Sequence, residues 1–298
     1  MTHLPFTLLA YFFNASAVTI DKFMLSRHIP NPLVYIFYFS AFSALALILL
    51  PFTKIPTLVV FLLASLSSVL WTTGAYFMFK ALQIGQVSRV IPIIGTLVPV
   101  FLLFQSIITG NITAQEILAV FILILGLVAL TILDWKGSIK KSEVLYEILA
   151  ALLFAVSYII LREAYLRAEF LTVLVWSRFI ILPVSIIILL IPSLKKIVFE
   201  SRGNQPAFNI ISKSGLLFLI GQGAGGASEL LLTYSISLAN PALVNSLQGS
   251  QYIFLFIFSL LLAKKYPGVF TEKFTALKLI PKILGILLIG TGLFLLAK

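Results

Sequence analysis

Glu229 is the residue that most invites chemistry in this chain. It closes the stretch Gly221-Gln-Gly-Ala-Gly-Gly-Ala-Ser-Glu229, inside a long apolar run. An ionisable group in such a place is costly and marks a functional candidate. Gln222, Gly225, Gly226, Glu229 and Thr233 are spaced i, i+3, i+4, i+7 and i+11, which is one face of a helix. That face has no large apolar side chain. Small residues let helix backbones approach closely, so the glycines can serve packing alone. Packing does not require a carboxylate. The expected role of Glu229 is to line a polar cavity, where it binds substrate or carries a proton.

Other polar groups lie within apolar runs. Asn245, Gln248 and Tyr252 share a face at i, i+3 and i+7, with Gln251 beside them. Their amides can hold a substrate's polar groups or bond neighbouring helices. Arg89, Pro92 and Thr96 share another face, with Pro99 beyond; proline there kinks a helix and frees a carbonyl. Asn14 and Asp21 are seven residues apart on one face. Arg178 lies well inside its run, so it should pair or reach for headgroups. Arg162, Glu163 and Glu169 are its neighbours in sequence, and Glu229 is a further candidate partner. Trp71, Tyr76 and Tyr234 fall near the polar faces as weaker cavity candidates.

Composition excludes much chemistry. There is no cysteine and there are only two histidines, His3 and His28. Thiolate metal sites, a Cys nucleophile and a His-based triad are therefore not expected, nor is any catalytic residue, metal or cofactor. The Gly221–Gly226 stretch is no phosphate loop, since no Gly-Lys-Ser/Thr follows it. The net charge of +11 does not imply nucleic acid. Lys and Arg of a membrane protein collect in loops that face anionic lipid.

The elements that must position these groups are helices in a bilayer. Of 298 residues, 60% are hydrophobic and 10% charged. About 20 apolar residues cross ~30 Å of hydrocarbon, and there the backbone must satisfy its own polar groups. Ten runs qualify: 4–21, 33–52, 57–79, 86–108, 114–133, 146–166, 170–192, 212–236, 240–263 and 277–297. The expected fold class is an all-α membrane protein of ten transmembrane helices. The first run lacks a basic leader, and Asp21-Lys22 follows it instead of a small-residue cleavage site, so it is expected to stay as a span.

The chain divides into two related halves, 1–134 and 146–298, with a polar joint at 135–145. Leu9-Ala10 and Ala15 match Leu149-Ala150 and Ala155; Pro51 matches Pro192; Gly95 matches Gly249; Gly126 matches Gly290. Five spans per half is an odd number, so the second half starts on the opposite side. Two inverted five-helix repeats are expected, a layout of secondary transporters that holds substrate between the halves.

The pattern resembles the drug/metabolite transporter superfamily, in its ten-helix EamA-type members. The likeness rests on Lys80-Ala81-Leu82-Gln83 leading to Pro92 and Pro99, on Gly126-Leu127, and on Trp176-Ser177-Arg178-Phe179. It covers the whole chain with loose motifs. A Gly-Glu pair common in the family is replaced by Gly110-Asn111, and by Ala263-Lys264-Lys265 in the second half. The resemblance implies a transporter of small metabolites, commonly an exporter, without an ATPase module.

The expected function is alternating-access transport of a small polar or amphipathic solute, with the proton a candidate coupling ion. The alternatives are a translocase of lipid-linked or polyprenyl-phosphate-linked substrate and, less well supported, an intramembrane enzyme. Expected partners are a small-molecule substrate and membrane lipid, with the chain a monomer or homodimer in the inner (plasma) membrane. Sixteen Lys and Arg lie in loops on one side; Lys54, Arg162, Arg167 and Lys298 lie on the other, and Arg178 falls inside a run. That bias places both termini outside, against the usual pattern of the family.

Overall fold

The computed structural model describes residues 2–27, 32–84, 87–110, 112–132, 140–199, 211–263 and 276–297. Among them every regular element is helical and none is a strand. The helices are α1 (His3–Arg27), α2 (Pro32–Phe42), a 3-10 helix (Ser43–Phe52), α3 (Leu58–Ile84), α4 (Val87–Ile108) and α5 (Ala114–Thr131). The second half follows with α6 (Lys141–Tyr165), α7 (Phe170–Phe179), α8 (Leu182–Leu190) and α9 (Pro192–Phe199). It ends with α10 (Lys213–Leu238), α11 (Pro241–Ser246), α12 (Gly249–Ala263) and α13 (Ala276–Ala297).

Local chemistry sets several of these boundaries. Gly110 follows α4 with φ +68°, a left-handed conformation that costs glycine nothing. Thr113 and Glu116 then open α5 with a capping box: the Glu116 amide donates to Thr113 Oγ1, and the Thr113 amide donates to Glu116 Oε2 at 2.9 Å. Ser212 caps α10 by accepting from the Gly215 amide at 3.1 Å. Asn240 caps α11 by accepting from Ala242 at 2.9 Å, with Pro241 in the first turn.

Six helical stretches are long and apolar enough to cross a membrane: His3–Asp21, Leu33–Phe52, Leu58–Leu82, Lys141–Tyr165, Phe170–Leu190 and Lys213–Leu238. They make the chain a multi-pass membrane protein. Side chains such as Ile48, Phe52, Leu62, Leu190, Leu216 and Leu287 stand exposed, as an acyl-facing surface requires. The runs expected at 86–108, 114–133 and 277–297 are helices carrying shorter apolar stretches, Ile93–Ile108, Ala114–Ala129 and Ile283–Gly292. The run expected at 240–263 is two helices with a turn at Leu247 and Gln248. Run seven is also divided, between α7 and α8. Run two passes from α-helix to 3-10 at Ser43 and keeps Pro51 inside it. The helix after the joint starts at Lys141, so Glu143 lies inside it, almost fully buried.

Three helix pairs carry the most extensive packing: α1 with α10, α3 with α6, and α5 with α13. Smaller contacts join α4 to α6, α12 to α1, the 3-10 helix to α7 and α2 to α8. The α5–α13 pair depends on missing side chains. A Cβ at Gly292 would lie 2.5 Å from Leu123 Cγ, and one at Gly126 would lie 2.8 Å from Ile289 Cγ1. Such approach is how helices associate where lipid competes equally for apolar surface.

Candidate functional site

Arg178 of α7 meets Glu229 of α10. Its Nη2 donates to Glu229 Oε1 at 3.1 Å, and the two side chains are 13% and 17% exposed. Each charge would be expensive alone in this setting, and the partner offsets that cost. The expected sequence neighbours of Arg178 are engaged elsewhere. Glu163 bonds Arg167 one turn on, at 3.2 Å. Glu169 bonds Lys54 at 2.5 Å. Arg162 donates to the Ile236 and Ser237 carbonyls at the end of α10. There it satisfies carbonyls that a helix end leaves without partners.

The ion pair borders a small cleft, walled by Ser67, Ser68 and Trp71 of α3, Ser157 and Leu161 of α6, and Ser177 and Ile181. Both halves of the chain thus contribute. The wall is held by hydroxyls that donate across helices. Ser67 Oγ donates to the Ser157 carbonyl at 3.0 Å, and Ser68 Oγ to the Ser177 carbonyl at 2.8 Å. Trp71 Nε1 donates to Tyr158 Oη at 3.4 Å. These bonds consume hydroxyl donors on backbone, so the two charges are the strongest chemistry offered to a solute. A polar group that reaches the cleft can compete for one or both ends of the pair.

Rings gather along α10 in both directions from Glu229. Toward the end of α10, Phe6, Tyr234, Phe170 and Tyr165 form a row from α1, α10, α7 and α6, with successive centroids 5.1, 5.1 and 5.5 Å apart. Outside that row Trp176 Nε1 donates to the Lys54 carbonyl at 3.2 Å, and the Lys54 amide donates to Thr172 Oγ1 at 3.2 Å. In the opposite direction stand Tyr35, Tyr38, Phe42, Phe79 and Phe218.

The second polar stripe lies at the break between α11 and α12. There the backbone bonds tighten to i→i−3: Gln248 to Asn245 at 3.1 Å, and Gln251 to Gln248 at 3.0 Å. The Val244 carbonyl accepts instead from the Tyr11 hydroxyl of α1, at 3.3 Å. Gln248 and Tyr252 lie over α4: a Cβ at Gly95 would be 2.8 Å from Gln248 Nε2 and from Tyr252 Oη. Asn245 turns to its own helix and donates to the Pro241 carbonyl at 2.9 Å. None of the three lines the ion-pair cavity.

The remaining candidates separate. Trp71 lines the cavity. Tyr76 is 36% exposed, with Lys80 Nζ 5.6 Å above its ring. Asn14 and Gln222 are partly buried, and Thr96 is buried. A Cβ added at Gly225 would lie 3.7 Å from Ala17 Cβ, so this part of the glycine face serves the α1–α10 contact. Thr233 donates to the Glu229 carbonyl at 2.8 Å, one turn back. Pro92 and Arg89 belong to α4, but their side chains lie outside the described residues. The sequence reading missed Ser67, Ser68, Ser157 and Ser177, together with the buried Tyr11, Tyr158 and Tyr165. The run of hydroxyls at Ser65, Ser67, Ser68, Thr72 and Thr73 was the one available signal for α3.

No family model matches the chain, and no curated protein matches it. Its fold does match solved structures. One, described only as "Crystal structure of protein", superposes with a TM-score of 0.65 at 16% identity, covering 97% of this chain and 97% of that one. At that identity the likeness establishes the fold alone.

Proposed function

We propose that this chain is a secondary transporter of a small polar or amphipathic metabolite, of the EamA type within the drug/metabolite transporter superfamily. The observation that carries the reading is the Arg178–Glu229 pair beside a cavity walled from both halves. An ion pair at the seam of two halves can bind a solute and release it as the halves rock. The packing supports pairing the two halves as repeats, which the reading takes as ten spans in two inverted sets. Take α1 to α5 as partners of α6, α7 with α8, α10, α11 with α12, and α13, the 3-10 helix belonging with α2. Exchanging partners turns the α1–α10 contact into the α6–α3 contact, and returns α5–α13 and α2–α8 to themselves. The α4–α6 and α12–α1 contacts exchange likewise. The reading places the chain in the inner (plasma) membrane, and the charge bias supports both termini outside.

The test is counterflow in proteoliposomes with a panel of labelled small metabolites. Wild-type protein is expected to exchange at least one solute, and Glu229→Gln and Arg178→Gln to lose that exchange. Exchange that persists in both variants removes the ion pair from the mechanism.

A further inference from the structure

The span Phe170–Leu190 is followed closely by α9 (Pro192–Phe199), whose eight residues are too few to cross a bilayer. Pro192 disfavours a helical conformation in the residue before it, and Ile191 is extended at φ −91° and ψ 110°. The Ile191 carbonyl accepts from the Leu194 and Lys195 amides at 3.0 and 2.9 Å, which starts the new helix. α9 packs on α8 and on α2. Leu194 packs against the main apolar core, and Val198, one turn on, is 4% exposed. The Phe199 ring stands 5.2 Å from Phe37. Phe37 lies in the second turn of α2, where the span Leu33–Phe52 begins. α9 therefore sits where one span ends and another starts, at the edge of the hydrocarbon.

The outer face of α9 carries different chemistry. Ser193, Lys195 and Lys196 are exposed, and the helix holds no acidic residue. Leu190, Ile191 and Phe199 beside them are exposed as well. Apolar and ammonium groups side by side on a surface suit the membrane boundary. There the apolar groups and lysine stems meet acyl chains, and the ammonium groups meet headgroups. The charge also selects among headgroups. From Pro192 to Gly215 the sequence carries Lys195, Lys196, Arg202 and Lys213 against one acidic residue, Glu200. Lys213, at the start of α10, is exposed too. A basic cluster next to a span attracts anionic lipid, with an energy that grows with each lysine near the surface.

We infer that α9 is an interfacial helix whose Lys195 and Lys196 bind the headgroup phosphate of anionic phospholipids. The surface is separate from the Arg178–Glu229 cleft and needs no transport to be detected. The test is native mass spectrometry of the purified full chain, released from detergent that holds equal amounts of phosphatidylglycerol and phosphatidylcholine with the same acyl chains. Phosphatidylglycerol is expected to stay bound severalfold more often. Each lysine near an anionic surface is worth about fivefold in affinity, so the double variant Lys195→Gln, Lys196→Gln should lose most of the preference. The double variant Lys140→Gln, Lys141→Gln removes the same charge from two exposed positions at the start of α6, and it should keep the preference. Three results overturn the inference. They are no preference in wild type, a wild-type preference without Lys195 and Lys196, or an equal loss without Lys140 and Lys141. The last would mean a diffuse attraction by loop charge. The transport reading is decided separately, by solute exchange through the ion pair.

Discussion

Arg178 and Glu229 lie 3.1 Å apart across the contact between α7 and α10, 51 residues apart in sequence. Removing one member leaves the other as an uncompensated charge, a loss of roughly 3–5 kcal/mol in a fully buried pair and less here, since both retain some exposure. Glu229→Gln and Arg178→Gln should each lower the melting temperature. The double variant should recover part of the loss, because no lone charge remains. A double-mutant cycle on purified protein measures this, and strict additivity would show that the pair is not coupled.

Tyr11 and Val244 are joined across the broken ninth run. Tyr11→Phe keeps the ring and removes the donor to the Val244 carbonyl. It should cost about 0.5–1.5 kcal/mol, with the ion-pair cavity intact. Thermal unfolding checks this, and an unchanged midpoint would mean the carbonyl finds another donor.

Gly292 and Gly223 should respond with opposite signs. A Cβ at Gly292 meets Leu123, while one at Gly223 meets nothing within 4 Å. Gly292→Ala should destabilise the α5–α13 pair by about 1–3 kcal/mol. Gly223→Ala should be neutral or stabilising by up to roughly 1 kcal/mol, as alanine is in a helix. Denaturation of both variants in one detergent decides it.

The ring row of Phe6, Tyr234, Phe170 and Tyr165 lies beyond Glu229 toward the end of α10. The chain has no cysteine, so Ser157→Cys is a clean reporter of the cavity. Its labelling by a water-soluble thiol reagent from that side should quicken when Phe170 is replaced by Ala. An equal labelling rate would place the barrier elsewhere.

Topology is open to a direct measurement. The 16-to-4 bias of Lys and Arg predicts external termini. A C-terminal alkaline phosphatase fusion should be active and a green fluorescent protein fusion dark. The reverse pattern would invert the orientation.

Helical spans were legible because apolar runs and the cost of bare backbone in lipid leave little other choice. The structure makes six of those spans plain by length and hydropathy. Glu229 and Arg178 were both legible as costly charges, for the same local reason. Their union stood as one option among several, because sequence neighbours of opposite sign, Glu163 and Glu169, lay closer to Arg178 than Glu229 did. Those neighbours were taken by Arg167 and Lys54, a matter of which helix ends meet in space. The serines of the cavity wall were hidden among ordinary packing hydroxyls, and only the approach of α3 to α6 and α7 gives them carbonyls to bond. The break at Leu247 and Gln248 carries no proline or charge to announce it. Tertiary contacts decide it, with Tyr11 supplying a donor to the freed carbonyl and Gly95 making room for Gln248 and Tyr252. Composition and periodicity act through each residue's own transfer free energy, and the sequence carries that directly. Which charges, hydroxyls and rings meet depends on helix crossings set by small residues far apart in the chain, and only the folded molecule brings them together.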